Sequence, residues 1–157
     1  MKFKHYCGID TGLTGALCIL NSHGTIVLLK DWDEIASIDL DKYSDTLYLI
    51  EETFNTPKLS GKSIRTTAYN SGWIAGLLHH KRVKTVHPRT WKAFYKLSKN
   101  KEDGLIVAEM NHQPTDVFYH KGKLKDGRLE AYLLAEYCRI VIGMIIDITE
   151  KNHEISI

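Results

Sequence analysis

Residues 6–20, YCGIDTGLTGALCIL, place one carboxylate, Asp10, between two apolar runs. The glycines around Asp10 predict a tight turn, and the apolar runs on either side predict two buried strands. An acid at the end of a buried strand has two interpretations: the turn wraps a nucleotide phosphate, or the carboxylate holds a divalent metal ion. The rest of the chain has to separate these two interpretations.

The segments that follow extend this pair of strands into a sheet. Residues 25–32 come after a short Ser-His-Gly turn, which predicts an antiparallel meander of three strands. Further strands are predicted at 46–52 and 83–87, and helices at 61–81, 88–97, 101–112 and 126–146. The order of these elements predicts an α/β fold: a five-stranded mixed sheet, three antiparallel strands and then β-α-β-α, with helices on both faces.

The composition is that of a globular protein with one domain over residues 1–157. Hydrophobic residues make up 43% of the chain and charged residues 25%, which places it outside the disordered and fibrous classes. No apolar run approaches the roughly 20 residues of a membrane-spanning helix, so no membrane partner is expected. The cysteines Cys7, Cys18 and Cys138 lie in apolar segments without metal-ligand spacing, which predicts reduced thiols and a cytoplasmic protein.

Charge is distributed unevenly along the chain. The net charge is only +2, but residues 53–101 contain no Asp or Glu and 11 of the 21 Lys and Arg residues. Residues 1–52 hold nine acids and four bases. A solvated basic face is one interpretation, and a window this long without acids favours a nucleic-acid surface beside a metal site.

Acidic residues fall at the ends of separate predicted elements. Asp10 ends the first strand, Glu51 and Glu52 end the fourth, and Asp126 and Glu130 share a face of the last helix. If the two strands are parallel neighbours, Asp10 meets Glu51 at their carboxyl edge, and strand alternation excludes Glu52. Acids that converge in this way would repel each other, and a pair of Mg²⁺ ions would neutralise them and support phosphodiester hydrolysis.

Each acid also has an ordinary structural interpretation. Asp10 can order its turn through backbone N–H groups, and Asp126 can cap its helix. Glu51 can be a simple strand-end charge, and Glu130 an exposed helical acid. The joint pattern is more specific than any one of them.

Four segments form an ordered set of motifs: GIDTGLTGA at 8–16, LYLIEETF at 47–54, VHPRTWK at 86–92 and DGRLEAYLLAEY at 126–137. This set resembles the RuvC-type Holliday junction resolvases, especially their compact phage-like forms, within the RNase H-like superfamily. The likeness is collinear from residue 6 to residue 140. The first motif alone is weak because ATPases share it, whereas four motifs in order are specific.

The resemblance implies roles for individual residues. Asp10, Glu51 and Glu130, helped by Asp126, match the metal ligands. Lys92 and Lys101 match basic residues that contact DNA near the cut and stabilise its phosphate. The expected DNA-binding residues are Phe54, Lys58, Lys62, Arg65, Arg89, Lys92, Lys99 and Lys101, with Phe54 as an aromatic that helps to open the junction centre.

The segment 61–81 corresponds to the helix that builds the family's dimer. Its small residues, Ala68, Gly72, Ala75 and Gly76, permit close helix approach, and Ile64, Trp73 and Leu78 are expected to fill the contact.

Two departures from the family pattern matter. The residue three before Glu130, where the family has an acid, is Gly127, and Asp126 is four before it. Residues 33–45 are too short and irregular for the full helix that often follows the third strand, so that helix is expected to be shrunken.

The function implied is a Mg²⁺-dependent endodeoxyribonuclease that resolves four-way DNA junctions by paired symmetric nicks as a homodimer. It would use two Mg²⁺ per active site, with Mn²⁺ as a substitute, and no nucleotide cofactor. The alternatives are an RNase H-like nuclease for flaps or forks and a non-cleaving junction-binding protein. An actin-like ATPase is disfavoured because 157 residues leave no space for its two lobes.

Overall fold

A five-stranded sheet forms the centre of the protein, in a computed structural model that describes residues 3–35, 37–52 and 60–155, with side chains to residue 149. Its strands are β1 (His5–Ile9), β2 (Ala16–Asn21), β3 (Ile26–Asp31), β4 (Thr46–Glu51) and β5 (Arg82–Val86). The spatial order is β3-β2-β1-β4-β5, with β1, β2 and β3 antiparallel and β4 and β5 parallel to β1. The predicted mixed sheet is therefore confirmed.

The register of the sheet decides which residues meet at its edge. Ile9 at the end of β1 lies opposite Ile50 of β4, so Asp10 and Glu51 follow at the same carboxyl edge. Asp31, at the end of β3, lies opposite Ala16 and therefore reaches that edge as well.

Helices pack on both sides of this sheet. They are α1 (Trp32–Ile35), α2 (Gly61–Leu77), α3 (Pro88–Phe94), α4 (Asp103–Met110), α5 (Asp126–Tyr137) and α6 (Gly143–Ile155). Short 3₁₀ turns occupy Leu40–Tyr43 and Thr115–Phe118, and a small hairpin is formed by β6 (Tyr119–His120) and β7 (Lys123–Leu124). Among the described residues, no helix is both long enough and apolar enough to cross a membrane.

Two hydrophobic cores result from the alternation of side chains along the strands. On one face, Tyr6 and Leu49 pack with residues of α3, α4 and α5, including Trp91 and Leu133. On the other face, β-strand side chains pack with α1, α2 and the first 3₁₀ turn; this group includes Cys7, Ile9, Tyr48, Ile74 and Leu78. All three cysteines are buried and free, as expected.

Helix α5 lies directly against β1, because Gly8 leaves space for it. A Cβ built on Gly8 would overlap the backbone of Ala131 and Ala135. This contact holds the first turns of α5, with Asp126 and Glu130, beside the carboxyl edge of the sheet.

Several boundaries differ from the prediction. The helix expected at 61–81 ends at Leu77, because Leu78 is buried in the core and the chain must turn to enter β5. The closing helix expected at 126–146 is interrupted by a π-helical segment, Cys138–Ile142, and continues to Ile155. The expected shrunken helix at 33–45 is confirmed as a one-turn helix and a 3₁₀ turn.

Candidate active site

An open cleft of about 550 Å³ lies at the carboxyl edge of the sheet. It collects the predicted acids and three of the predicted lysines: Asp10, Glu51, Asp126, Glu130, Lys92, Lys99 and Lys101. Strands β1 and β4, helices α3 and α5, and the segment 97–101 each contribute to this group. All four predicted acids therefore line one cleft.

Asp10 is held by its own turn. The backbone N–H of Gly12 donates to Asp10 Oδ1 at 2.8 Å, and the Gly15 N–H closes the turn onto the Gly12 carbonyl at 3.1 Å. Burial and the nearby Glu130 carboxylate raise the pKa of Asp10 to about 6, against the smaller opposing effects of Gly12 and Lys92. The turn-ordering role and the cleft-facing role thus coexist in one side chain.

Glu51 is oriented by a tryptophan. Trp91 is fully buried in the core, and its Nε1–H donates to Glu51 Oε2 at 2.7 Å. Burial is the main cause that raises the pKa of Glu51 to about 7; Glu130 and Asp10 add to it, while Lys92 and Trp91 oppose it. Glu52 instead accepts a hydrogen bond from Thr85 Oγ1 at 3.0 Å and does not line the cleft, as strand alternation predicted.

The two acids of α5 are paired with lysines. Lys92 Nζ lies 2.9 Å from Glu130 Oε1, and Lys101 Nζ contacts Asp126 Oδ2. Burial lowers the pKa of Lys92, but the attraction of Glu130, Glu51 and Asp10 outweighs it, so the net pKa is raised. Lysines from α3 and the following loop therefore compensate the charges of Asp126 and Glu130 in this structure, whereas the sequence predicted neutralisation by metal ions alone.

Packing explains why Gly127, rather than an acid, stands three residues before Glu130. A Cβ built on Gly127 would overlap the carbonyl oxygen of Thr14 in the turn after Asp10. No side chain fits at this position without a backbone shift, so the acid of the first turn of α5 is Asp126.

Comparison with known proteins identifies the fold that carries this cleft. No protein-family model and no curated protein matches the chain. Among solved structures, T. thermophilus RuvC in complex with a Holliday junction substrate matches with a TM-score of 0.60 and 14% identity, covering 87% of this chain and 96% of that chain. This chain has the RuvC fold. The predicted α/β architecture, a five-stranded mixed sheet with helices on both faces, is confirmed.

The cleft of this RuvC-like fold offers the donor set that a hard divalent cation prefers. All four acids supply carboxylate oxygens, the ligands typical of Mg²⁺. Burial raises the pKa values of Asp10 and Glu51, and the Glu130 carboxylate adds to the effect, so a bound cation would favour their charged forms. The chemistry of these side chains therefore fits a metal site.

The carboxylate oxygens of the cleft acids lie farther apart than three ligands of one metal ion would. Among the described residues, the group of three whose ligand atoms all lie within 4.8 Å of one another is Asp31, Asp33 and Glu34. Three acids of the cleft could therefore bind one ion only after a side chain moves. The simplest such movement is the release of Glu130 by Lys92.

The Asp31 group is already neutralised by bases. Arg128 binds Asp31 through two hydrogen bonds of 2.7 and 3.1 Å, and Lys30 lies 2.7 Å from Glu34. Burial raises the pKa of Asp31, but the opposing effects of Arg128 and Lys125 are larger together. The pKa of Asp31 is therefore below its usual range. We interpret this group as the anchor of α5 to the end of β3.

Three of the remaining predicted DNA-binding residues lie outside the cleft. Lys62 and Arg65 are exposed in the first turns of α2, and Arg89 is exposed at the start of α3. Phe54 and Lys58 lie outside the described residues.

Sequence reasoning assigned no role to Trp91, although it stands in the motif PRTWK. A tryptophan directly before the predicted lysine Lys92 could have indicated a role. Its hydrogen-bond partner Glu51 lies 40 residues away in the sequence, so the contact itself could not be predicted. Ser98 and Asn100, which also line the cleft, carried no signal.

Proposed function

We propose that the protein is a Mg²⁺-dependent endonuclease of the compact phage-like RuvC type, which resolves four-way DNA junctions by paired nicks. The observation that carries the proposal is one cleft with Asp10, Glu51, Asp126 and Glu130 at the carboxyl edge of a RuvC fold. The matching T. thermophilus RuvC is in complex with a Holliday junction, which supports branched DNA as the substrate class.

The chain's own residues have distinct roles in this proposal. Asp10, Glu51 and Glu130, with Asp126, hold two Mg²⁺ ions, for which Mn²⁺ substitutes. When bound, such ions supply the Lewis acidity that activates a water for attack on phosphorus and stabilises the leaving oxygen. Lys92 leaves Glu130 to contact the scissile phosphate.

Basic residues around the cleft contact the DNA backbone. Lys99 and Lys101 stand at its rim, and Lys62, Arg65 and Arg89 extend the positive surface along α2 and α3. Phosphate contacts of this kind predict an affinity that falls steeply with salt. Phe54, as a wedge at the junction centre, and Lys58 complete the proposed DNA-binding set.

The homodimer is proposed to form through α2. Its small residues Ala68, Gly72, Ala75 and Gly76 are all exposed, and apart from the adjoining backbone of α2 no described atom lies within 4 Å of a Cβ built on Gly72 or Gly76. A second copy of the helix has room to approach closely there. Leu78, which was expected to join this contact, packs instead in the protein's own core.

Helix α2 also touches the Asp10 turn. The Asn70 amide donates to the carbonyl oxygens of Thr11 and Gly12, each at 3.3 Å. A dimer built on this helix would therefore hold two cleavage sites in a fixed relation, as paired nicks in a two-fold symmetric junction require. The free, buried cysteines support action in a reducing cytoplasm, bacterial or of a phage-infected host.

The decisive experiment uses a labelled four-way junction, a replication fork, a flap and a linear duplex, each with and without Mg²⁺. Junction resolution predicts paired nicks at symmetric positions in the junction, little cutting of duplex, and no product without metal. Equal cutting of forks and flaps would favour a broader branched-DNA nuclease.

The dimer is tested by light scattering of Gly76→Arg beside Met110→Arg. Position 110 is an exposed helical site on the opposite face of the sheet, 74% accessible, and serves as the matched control. We expect Gly76→Arg to be monomeric and the control to be dimeric. A monomeric wild-type protein on the junction would contradict the two-site proposal.

A second candidate function is junction binding without cleavage. The pairs Lys92–Glu130 and Lys101–Asp126 favour it, because they already compensate two carboxylates of the cleft. Tight junction binding with no product in either Mg²⁺ or Mn²⁺ would establish this alternative.

A further inference from the structure

The hairpin at residues 119–124 is a structural element that no part of the proposed mechanism uses. Tyr119 pairs with Leu124 and His120 with Lys123, and the connecting residues Lys121 and Gly122 have φ values of 51° and 73°. Two consecutive positive φ values are those of a type I′ turn, the tight turn that fits a two-residue hairpin. The hairpin therefore has a defined backbone.

The base of the hairpin is anchored to the body of the protein. Arg128 Nη1–H donates to the carbonyl oxygens of Val117 and Tyr119 at 3.1 and 3.5 Å, while its other nitrogens bind Asp31. The Lys125 N–H donates to the Phe118 carbonyl at 2.8 Å, and the Phe118 side chain is fully buried. Since this base is already ordered, a ligand at the tip meets a smaller entropic cost.

The hairpin carries positive charge on its exposed surface. His120 and Lys123 are directly paired and share one face, Lys121 stands at the tip, and all three are exposed. Within the described part of the chain, neither Lys121 nor Lys123 forms an ion pair, whereas Lys125 lies 3.7 Å from Asp31. Two lysines are thus available to a polyanion.

The hairpin lies on the opposite side of the cleft from α3. Its base is bound through Arg128 to Asp31 at the end of β3, one margin of the sheet, and α3 follows β5 at the other margin. Asp126, two residues after β7, lines the cleft between them. Positive residues therefore flank the acidic cleft on both sides, and the basic window at 53–101 accounts for only one of them.

We propose that the hairpin 119–124 binds the sugar–phosphate backbone of a DNA arm that leaves the cleft across the β3 margin. Lysine ammonium groups act as point charges toward phosphate, so this contact strengthens binding without reading sequence. The inference rests on the proposed function, because it requires branched DNA in the cleft.

The test compares two double variants with the same change in charge. Lys121→Gln with Lys123→Gln removes the hairpin charge, and Lys4→Gln with Lys42→Gln removes two exposed lysines at the opposite edge of the sheet, before β1 and β4. The dissociation constant for a synthetic four-way junction is measured in EDTA over a range of salt concentrations. We expect the hairpin variant to bind about tenfold or more weakly at 0.1 M salt, with a log–log salt slope smaller by about two. The control variant should match the wild type.

A cross-linking arm locates the contact. Because all three native cysteines are buried, Lys121→Cys offers a selectively reactive thiol for a photoactivatable cross-linker. We expect adducts with a junction arm outside the cleavage position, and none from Lys4→Cys labelled in the same way.

The outcomes separate the two proposals. If the wild type binds the junction but the hairpin variant keeps its affinity and salt slope, the hairpin contact is overturned and the proposed function stands. If the wild type binds no junction, the proposed function fails and the hairpin contact fails with it. Equal melting temperatures of the two double variants exclude misfolding as the cause of weaker binding.

Discussion

The acids on the strands and the acids on the helix solve the same electrostatic problem differently. Asp10 and Glu51 are held by neutral donors, the Gly12 N–H and the Trp91 indole, and their pKa values are raised to about 6 and about 7. Asp126 and Glu130 are held by the charged groups of Lys101 and Lys92. One half of the cleft is therefore ordered by neutral donors, and the charge of the other half is compensated by lysines.

This difference suggests an exchange of partners when DNA and metal arrive. If a cation bound Asp10 and Glu51 as proposed, it would compete with Lys92 for Glu130, and the released lysine would be free to contact a phosphate. The orientation of the strand acids is built into the fold, whereas that of the helix acids depends on side chains that can move.

The largest effect should come from the strand acids. Asp10→Asn or Glu51→Gln should reduce Mg²⁺-dependent junction cleavage by at least about 100-fold, because removal of a ligand exceeds the loss of a supporting contact. Junction binding should persist, since the basic surface is unchanged. Cleavage is measured in single-turnover assays and binding by gel shift.

Glu52→Gln is the matched control, as its side chain bonds Thr85 outside the cleft. Full activity in Asp10→Asn would contradict the assignment of Asp10 as a ligand.

The next effect should come from the tryptophan that orients Glu51. Trp91→Phe keeps most of the packing but removes the Nε1–H bond of 2.7 Å. We expect cleavage to fall about 10- to 100-fold and stability to fall by about 1–3 kcal/mol, because a partly buried carboxylate loses its donor. Denaturant unfolding measures the stability change.

Trp32→Phe provides the comparison for this indole. The Trp32 Nε1 is buried without a hydrogen-bond partner among the described residues, so this change removes no bond. It should cost less stability than Trp91→Phe; an equal loss in both would mean that packing, rather than the bond to Glu51, explains the effect.

The pH dependence of stability should reveal the cost of burying the charged forms of Asp10 and Glu51. Because their pKa values lie above the usual range, the metal-free folded protein binds more protons than the unfolded chain between about pH 4 and 7. Its stability should therefore rise as pH falls through this window, by an amount on the order of 1–3 kcal/mol. Asp10→Asn should flatten the profile and be more stable than the wild type at pH 8.

Mg²⁺ provides an independent check, because it should stabilise the wild type at pH 8 more than Asp10→Asn. Glu52→Gln should follow the wild-type profile. A metal-free wild type that becomes more stable from pH 5.5 to 8 would show that the pKa values of Asp10 and Glu51 are not raised in the folded protein.

Much of the fold could be predicted from the sequence because local signals agree with it. Short turns around Gly12 and Gly24 fix the meander, and Pro88 opens α3 at its first turn as expected. The helix end at Leu77 and the π-helical segment after Tyr137 depend on packing against distant strands, which local pattern does not contain.

The sequence predicted which residues line the candidate site better than it predicted which of them contact each other. The positions of Asp10 and Glu51 follow from parallel pairing of two strands. The partners of Glu130 and Glu51 are Lys92 and Trp91, which are adjacent in sequence. Which acid each of them meets depends on how α3 lies against the sheet and α5. Gly127 likewise needed the position of Thr14 to be understood.

The smallest effects should come from the lysine pairs themselves. Double-mutant cycles with Lys92→Gln and Glu130→Gln, and with Lys101→Gln and Asp126→Asn, measure the two couplings in the metal-free protein. The Lys101 side chain is 68% exposed and that of Lys92 37%. Solvent screens exposed pairs, so we expect a coupling near zero for Lys101–Asp126 and at most about 1 kcal/mol for Lys92–Glu130. Such weak coupling is what an exchange of partners requires, because a lysine must leave its carboxylate at little cost. A strong coupling for Lys92–Glu130 would instead describe a fixed ion pair, and would favour the non-cleaving alternative for this cleft.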